Sequence, residues 1–234
     1  MATQPLKLPS LKGKVIAIDG PAGAGKSTTA RLLAERLGYT YLDTGAMYRA
    51  ITWLALQGDI DLADEDKLGR LARGVPIEFK REDDQDKIYA NGEDVTTVIR
   101  TPEVTRNVSQ VAAHKKVREA MVVRQQEIAA VGSVVAEGRD TTTVVFPQAD
   151  LKIYLDATVE ERASRRLVDM VKMGVTTSLT EQEADIRRRD ELDSQRKHSP
   201  LKKAGDAHLV DTTNMTIEEQ VENIIALVRS LFKA

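Results

Sequence analysis

Along the chain, short apolar runs alternate with longer stretches whose apolar residues recur every three or four positions, the pattern of a parallel sheet wrapped by helices. Lys14–Asp19 (KVIAID) predicts a buried first strand, and Lys26–Leu37 a helix ended by Gly38. A second strand is expected over Tyr39–Asp43, then a helix over Ala46–Gln57 stopped by Gly58. Helices over Pro102–Ala112 and Lys115–Val131 lead to two more core strands, Ser133–Glu137 and Leu151–Asp156. Thr158, with Glu161 three residues on, predicts a capping box for a helix running to about Met173. Gly174–Leu179 reads as a hinge before a helix over Thr180–Leu192, which makes a helical hairpin. His208–Asp211 is the last strand, and Thr216–Leu231 the closing helix, with a second capping box from Thr216 to Glu219. Five core strands separated by helices predict an α/β fold with a doubly wound parallel sheet.

The alternation breaks between Asp59 and Thr101. A short helix over Glu65–Arg73 precedes two β-like runs, Val75–Arg81 and Lys87–Ala90, around a charged loop, Glu82–Asp86. With the Asn91-Gly92 turn these runs read as a small antiparallel element inserted into the core.

Composition narrows the picture. The 234 residues, 41% hydrophobic and 30% charged, suit one α/β domain with an insertion and exclude disorder throughout. No cysteine is present, which excludes disulfides and thiol catalysis, and the three scattered histidines make no metal cluster. A net charge of −2 argues against a basic nucleic-acid coat. No apolar run approaches the roughly 20 residues of a membrane span, and Met1–Lys14 lacks a secretory apolar stretch. The expectation is a cytoplasmic protein with no nucleic-acid or membrane partner, led by a loose tail over residues 1–13.

The strongest chemical signal lies between the first strand and the first helix. Gly20-Pro21-Ala22-Gly23-Ala24-Gly25-Lys26-Ser27 matches G-x-x-x-x-G-K-[ST] at every fixed position, and Thr28 follows. Its glycines let backbone N–H groups enclose a phosphate at the positive end of a helix. In this reading Lys26 reaches the β- and γ-phosphates of ATP and the Ser27 hydroxyl ligates Mg²⁺. Such a loop serves a small-molecule kinase, a hydrolysing switch or a nucleotide sensor equally well.

Other segments favour a second, anionic substrate. Thr44 and Arg49 follow the second strand, with Thr44 read as the cap of the next helix, and Glu137-Gly138-Arg139-Asp140 follows the SVVAE strand. Both segments leave the sheet at its carboxyl edge, where open α/β sheets bind ligands. Arg162, Arg165 and Arg166 lie on one arm of the helical hairpin, and Arg189, Asp193 and Arg196 share a stripe on the other. Guanidiniums on a closing lid suit phosphoryl transfer, which needs charge stabilisation and water exclusion. Acidic neighbours leave a solvated, salt-bridged hairpin as the plain alternative. On these residues alone a kinase is favoured, with its acceptor open.

The runs IDGPAGAGKST, LDTGAMYR, SQVA, VREA, EGRD and RRDELDSQR together resemble the cytidylate kinases of bacteria, within the nucleoside monophosphate kinase family. The likeness extends from Val15 to Leu231. It implies transfer of a phosphoryl group from ATP to CMP or dCMP by a monomer. The implied layout is core (14–58, 102–164 and 191–234), an inserted monophosphate-binding lobe (59–101) and a lid (165–190). It implies that Thr44, Arg49, Arg139 and Arg196 hold the acceptor phosphate. Ser109, Arg118 and Asp140 would read cytosine, and Arg189 with Asp193 would touch the ribose. Lys26 would act in catalysis, with Arg165, Arg166 and Arg189 on the transferring group. Two departures stand out: Thr142-Thr143 where many relatives carry Gly-Thr, and Glu137 where Asp is also found. A glycine's positive φ at position 142 would be strained for threonine.

Overall fold

The computed structural model describes residues 12–83, 85–172 and 174–232, so most of the expected leading tail lies outside the described residues. In chain order the elements begin β1 (Val15–Asp19), α1 (Lys26–Leu37), β2 (Thr40–Asp43), α2 (Thr44–Gln57) and α3 (Glu65–Gly74). Next come β3 (Ile77–Glu82), β4 (Gln85–Ala90), β5 (Glu93–Asp94), α4 (Pro102–Ala113) and α5 (Lys115–Ala129). The chain closes with β6 (Val134–Gly138), β7 (Leu151–Asp156), α6 (Val159–Lys172), α7 (Leu179–Gln195), β8 (His208–Asp211) and α8 (Ile217–Leu231). A 3₁₀ turn spans Val98–Arg100 and a π-helical turn Thr141–Val145.

β2, β6, β1, β7 and β8 form the expected five-stranded sheet in that order, with β1/β6, β1/β7 and β7/β8 parallel. β1 is central and buried on both faces, which is why VIAID carries almost no polar alternation. Ile16, Ile18, Val135, Leu151, Ile153 and Leu155 form its core with Leu33 of α1 and Ile224 of α8. The register sets Asp19 opposite Gly138, so the chain leaves β1 and β6 at the same level. The loop after β1 and the Arg139-Asp140 segment therefore emerge side by side.

Local chemistry accounts for the element ends. Gly38 ends α1 at φ 68, with its N–H and that of Tyr39 returning to carbonyls of the last turn. The Thr216–Glu219 capping box opens α8 as expected. At Thr158 only half of the expected box forms: its hydroxyl accepts from the Glu161 N–H, while the Glu161 carboxylate turns to Arg165. α2 starts at Thr44 because the Asp43 carboxylate, not the Thr44 hydroxyl, caps it by accepting from the Ala46 N–H. The antiparallel element carries a third strand, β5, too short for its pattern to announce itself. The Asn91-Gly92 turn, with φ 52 and 80, joins β4 to β5 and suits a type I′ hairpin.

The chain forms two compact units. One comprises Met1–Tyr41, Ala129–Gln195 and Ser199–Ala234, and the other Leu42–Ile128 with Arg196–His198. The first unit holds the glycine-rich loop and the α6–α7 hairpin, and the second holds α2 to α5 with the antiparallel sheet.

Gly20 is where the fold touches the loop most tightly, since a Cβ there would collide with the Leu155 carbonyl. Gly20→Ala is expected to destabilise the protein by about 3 kcal/mol. Gly74→Ala, with open space around it at a helix end, is expected to be neutral or stabilising by a few tenths of a kcal/mol. Thermal unfolding of the two variants checks the contrast.

Candidate active site

The loop Gly20–Gly25 joins β1 to α1 within the first unit, and Gly25 at φ 86 opens the helix without any side-chain cap. The first N–H groups of α1 thus receive no side-chain cap. Arg162 of α6 supports the loop from behind. Its guanidinium donates to the Ala22 carbonyl at 3.0 Å, to Ala157 O at 2.9 Å and to Asp190 of α7 at 2.6 Å. Asp190 in turn accepts from the Ala22 N–H at 3.4 Å. At Gly23, whose φ is 79, a Cβ would press on the Arg162 backbone at 2.9 Å.

Lys26 lies at the bottom of this loop, buried, and donates to the Pro21 carbonyl at 2.7 Å. Burial, then repulsion from Arg139 and Arg189, pulls its ammonium down to about 7 despite support from Glu137 and Asp19. Arg189 is lowered to about 10, by burial first and then by Arg139 and Arg166. Its Nε is buried with no hydrogen-bond partner. Burial also opposes the charge on Arg139, but the Asp193 carboxylate at 2.8 Å, together with Glu137 and Asp190, holds Arg139 above the usual value. Within the first unit, Lys26 thus feels the charges of Arg139 and Arg189, and Arg189 those of Arg139 and Arg166.

Arg165 stands apart from that group. Its guanidinium bonds Glu161 and the Thr212 hydroxyl and carbonyl, and lies beside Gly25 at the start of α1. Ser27 donates from its hydroxyl to Glu137 at 2.7 Å. That pair offers two hard oxygen donors at one point, which fits the ligand preference of Mg²⁺.

In the second unit, Arg49 donates to the Ile99 carbonyl at 3.2 Å and to the Thr105 hydroxyl at 2.9 Å. Arg118 donates to the Ala112 carbonyl at 3.0 Å, its guanidinium 5.2 Å from the centre of the Tyr48 ring. Ser109 and Thr44 are buried, and Arg196 belongs to the short segment that returns to this unit. Asp140 of the first unit is buried at the head of the π-helical turn, which its carbonyl closes rather than its carboxylate. Thr142 keeps a negative φ, so the expected strain at this departure does not arise.

Reading the sequence missed Arg162 and Asp190 as supports of the loop, Glu137 as partner of Ser27, and Arg100, which bonds Asp43 at 3.2 Å. The Ile-Arg-Thr-Pro turn just before α4 was the only signal for Arg100.

The sequence model of the family described as cytidylate kinase matches residues 16–230. The chain belongs to the cytidylate kinase family. A relative named cytidylate kinase from Bacillus cytotoxicus is 52% identical over 213 residues, covering 91% of this chain and 95% of the relative. Another of that name, from Bacillus cereus strain ATCC 10987, is 50% identical over 217 residues, covering 93% and 96%. Among solved structures, an uncharacterized protein from Eubacterium ventriosum superimposes with a TM-score of 0.51 at 12% identity, covering 94% of this chain and 99% of that one. That last likeness concerns the fold alone. Family membership makes the chain a phosphotransferase, and among the described residues no helix is long and apolar enough to cross a membrane.

The depressed Lys26 value has a definite sign. The unfolded chain holds the extra proton between about 7 and the ordinary 10.5, so the Lys26 contribution to stability rises with pH across that window. A triphosphate reverses the depression. At about pH 8, ATP binding is expected to draw in up to about one proton, and the uptake shrinks toward pH 6. Calorimetry in buffers of different ionisation enthalpy measures this directly, and absence of uptake at the higher pH would contradict it.

Proposed function

We propose that the protein transfers the γ-phosphoryl group of ATP to CMP or dCMP, giving ADP and CDP or dCDP. The observation that carries this reading is the meeting of Lys26 with Arg139 and Arg189 at the glycine-rich loop of a cytidylate kinase family member. An oxygen of the acceptor phosphate attacks the γ-phosphorus in line while the bond to the β-phosphate oxygen breaks. Lys26 neutralises charge on the triphosphate, and Arg166 and Arg189 steady the transferring group. Arg165, held at the start of α1, serves the donor side. The acceptor phosphate is already ionised near neutrality, so no general base is assigned. Ser27 and Glu137 would hold Mg²⁺, which when bound neutralises phosphate charge.

For the acceptor, the assignments follow the motifs that carry the family resemblance. Thr44, Arg49, Arg139 and Arg196 hold its phosphate, and Arg189 with Asp193 touch the ribose. Asp140, Arg118 and Ser109 read the base. Cytosine offers an amino donor at N4 and acceptors at N3 and O2, matching a carboxylate and a guanidinium. Uracil presents an acceptor at that exocyclic position, lone pair against lone pair with Asp140. In this reading residues 59–101 enlarge the acceptor lobe and 165–190 form the lid of a cytoplasmic monomer.

ADP release from ATP with CMP, dCMP, UMP, AMP and GMP as alternative acceptors is expected to depend strongly on CMP or dCMP. Asp140→Ala is expected to cut the CMP/UMP ratio of kcat/KM by about tenfold or more, and Asp140→Asn to raise UMP use. Equal wild-type rates with UMP would end the base assignment. Lys26→Ala is expected to lower kcat at least about a hundredfold, and near-normal turnover would remove Lys26 from the mechanism.

A further inference from the structure

Asp19 ends β1, has no exposed surface, and is not needed to bind either nucleotide in the reading above. Its carboxylate is nevertheless fully engaged. Oδ1 accepts from the Thr141 N–H at 2.8 Å and the Thr141 hydroxyl at 2.6 Å. Oδ2 accepts from the Thr142 N–H at 2.8 Å and the Thr142 hydroxyl at 2.6 Å. Four donors converging on two oxygens suit an ionised carboxylate, which only accepts. The residues so gripped begin the π-helical turn, and the two before them are Arg139 and Asp140. The same turn closes on the Asp140 carbonyl, which receives the N–H groups of Val144 and Val145. Turns of this kind are rare and are found frequently at functional sites.

We infer that Asp19 is a positioning residue for acceptor recognition: its buried carboxylate seats the Thr141–Thr142 turn and so sets where Arg139 and Asp140 stand. The inference rests on the acceptor assignment above and extends it to a residue that touches no substrate. It differs from a plain packing role because the grip lies one residue from Asp140 and two from Arg139. Gly20, on the other side of Asp19, passes so close to the Leu155 carbonyl that no side chain fits there. The Thr142 side of the clamp is the cleaner test, because the Asp19 charge also supports the Lys26 ammonium.

Asp19→Asn keeps the shape but turns an NH₂ group toward one pair of donors. A threonine hydroxyl can rotate to accept from it, but a backbone N–H cannot, so the turn must shift. Thr142→Val removes one hydroxyl with little change of shape, and Thr142→Ser restores it. Asp19→Asn is expected to lower kcat/KM for CMP about tenfold or more, mostly through KM. Because it also removes a charge that supports the Lys26 ammonium, the KM for ATP is compared in the Thr142 variants, where it is expected to stay within about twofold of wild type. Thr142→Val is expected to move the CMP constants in the same direction by a smaller factor, and Thr142→Ser to return them to wild type. The CMP/UMP ratio is expected to fall alongside.

Steady-state kinetics of these variants, with melting temperatures recorded in parallel, decides the matter. If melting temperatures drop while the CMP KM and the CMP/UMP ratio stay at wild-type values, the role is only structural and the inference falls. If Asp19→Asn does not fold, Thr142→Val and Thr142→Ser carry the same comparison. A loss of CMP/UMP selectivity in Asp140→Ala without any change in the clamp variants overturns this inference alone. Unchanged selectivity in Asp140→Ala overturns the base assignment, and the CMP KM of the Thr142 pair then tests the clamp through Arg139.

Discussion

Lys26, Arg139 and Arg189 crowd the carboxyl end of the first unit's sheet, and each is partly stripped of water there. Burial and the Arg139 charge lower the proton affinity of Lys26 and Arg189, while the acidic groups around Arg139 hold it above its usual value. Asp193 and Glu137 offset part of the repulsion, and in the proposed function the polyphosphate of a nucleotide offsets the rest. Much of the surrounding architecture serves that balance. The uncapped start of α1 adds N–H donors, and Arg162 with Asp190 holds the loop that presents them.

The placement of those cations traces back to the central strand. β1 is apolar enough to be buried on both faces, so it takes the middle of the sheet, and its pairing with β6 brings two polar loops out at one level. One loop is Gly20–Gly25. The other begins with Arg139 and Asp140 and is tied back to the end of β1 by Asp19. The glycine-rich loop and the Arg139-Asp140 segment thus share one structural joint, built from a strand register and a single buried carboxylate.

What could be read from the sequence followed from the range of the forces involved. The glycine-rich loop, the β1 and β7 runs and the Thr216–Glu219 box depend on neighbours a few residues away, and the structure agrees with them. The start of α2 was misread because Asp43 and Thr44 are both competent caps, and only the backbone geometry chooses Asp43. The Thr158 box was half right because Arg165, four residues on, competes for the Glu161 carboxylate. The π-helical turn gave no local sign at all: Thr141–Val145 is β-branched throughout, and its shape comes from Asp19, more than a hundred residues earlier. Arg162 and Asp190 were likewise hidden among charges that look like a solvated hairpin until the loop they support is seen.

The central claim is that the triphosphate's terminal group goes to a second nucleotide rather than to water. Phosphorus NMR of the protein with ATP, Mg²⁺ and CMP follows both fates at once. The account predicts that the ATP γ-signal is lost in step with the growth of the terminal phosphate signal of CDP, with little inorganic phosphate. Accumulation of inorganic phosphate at the same rate with or without CMP would contradict it.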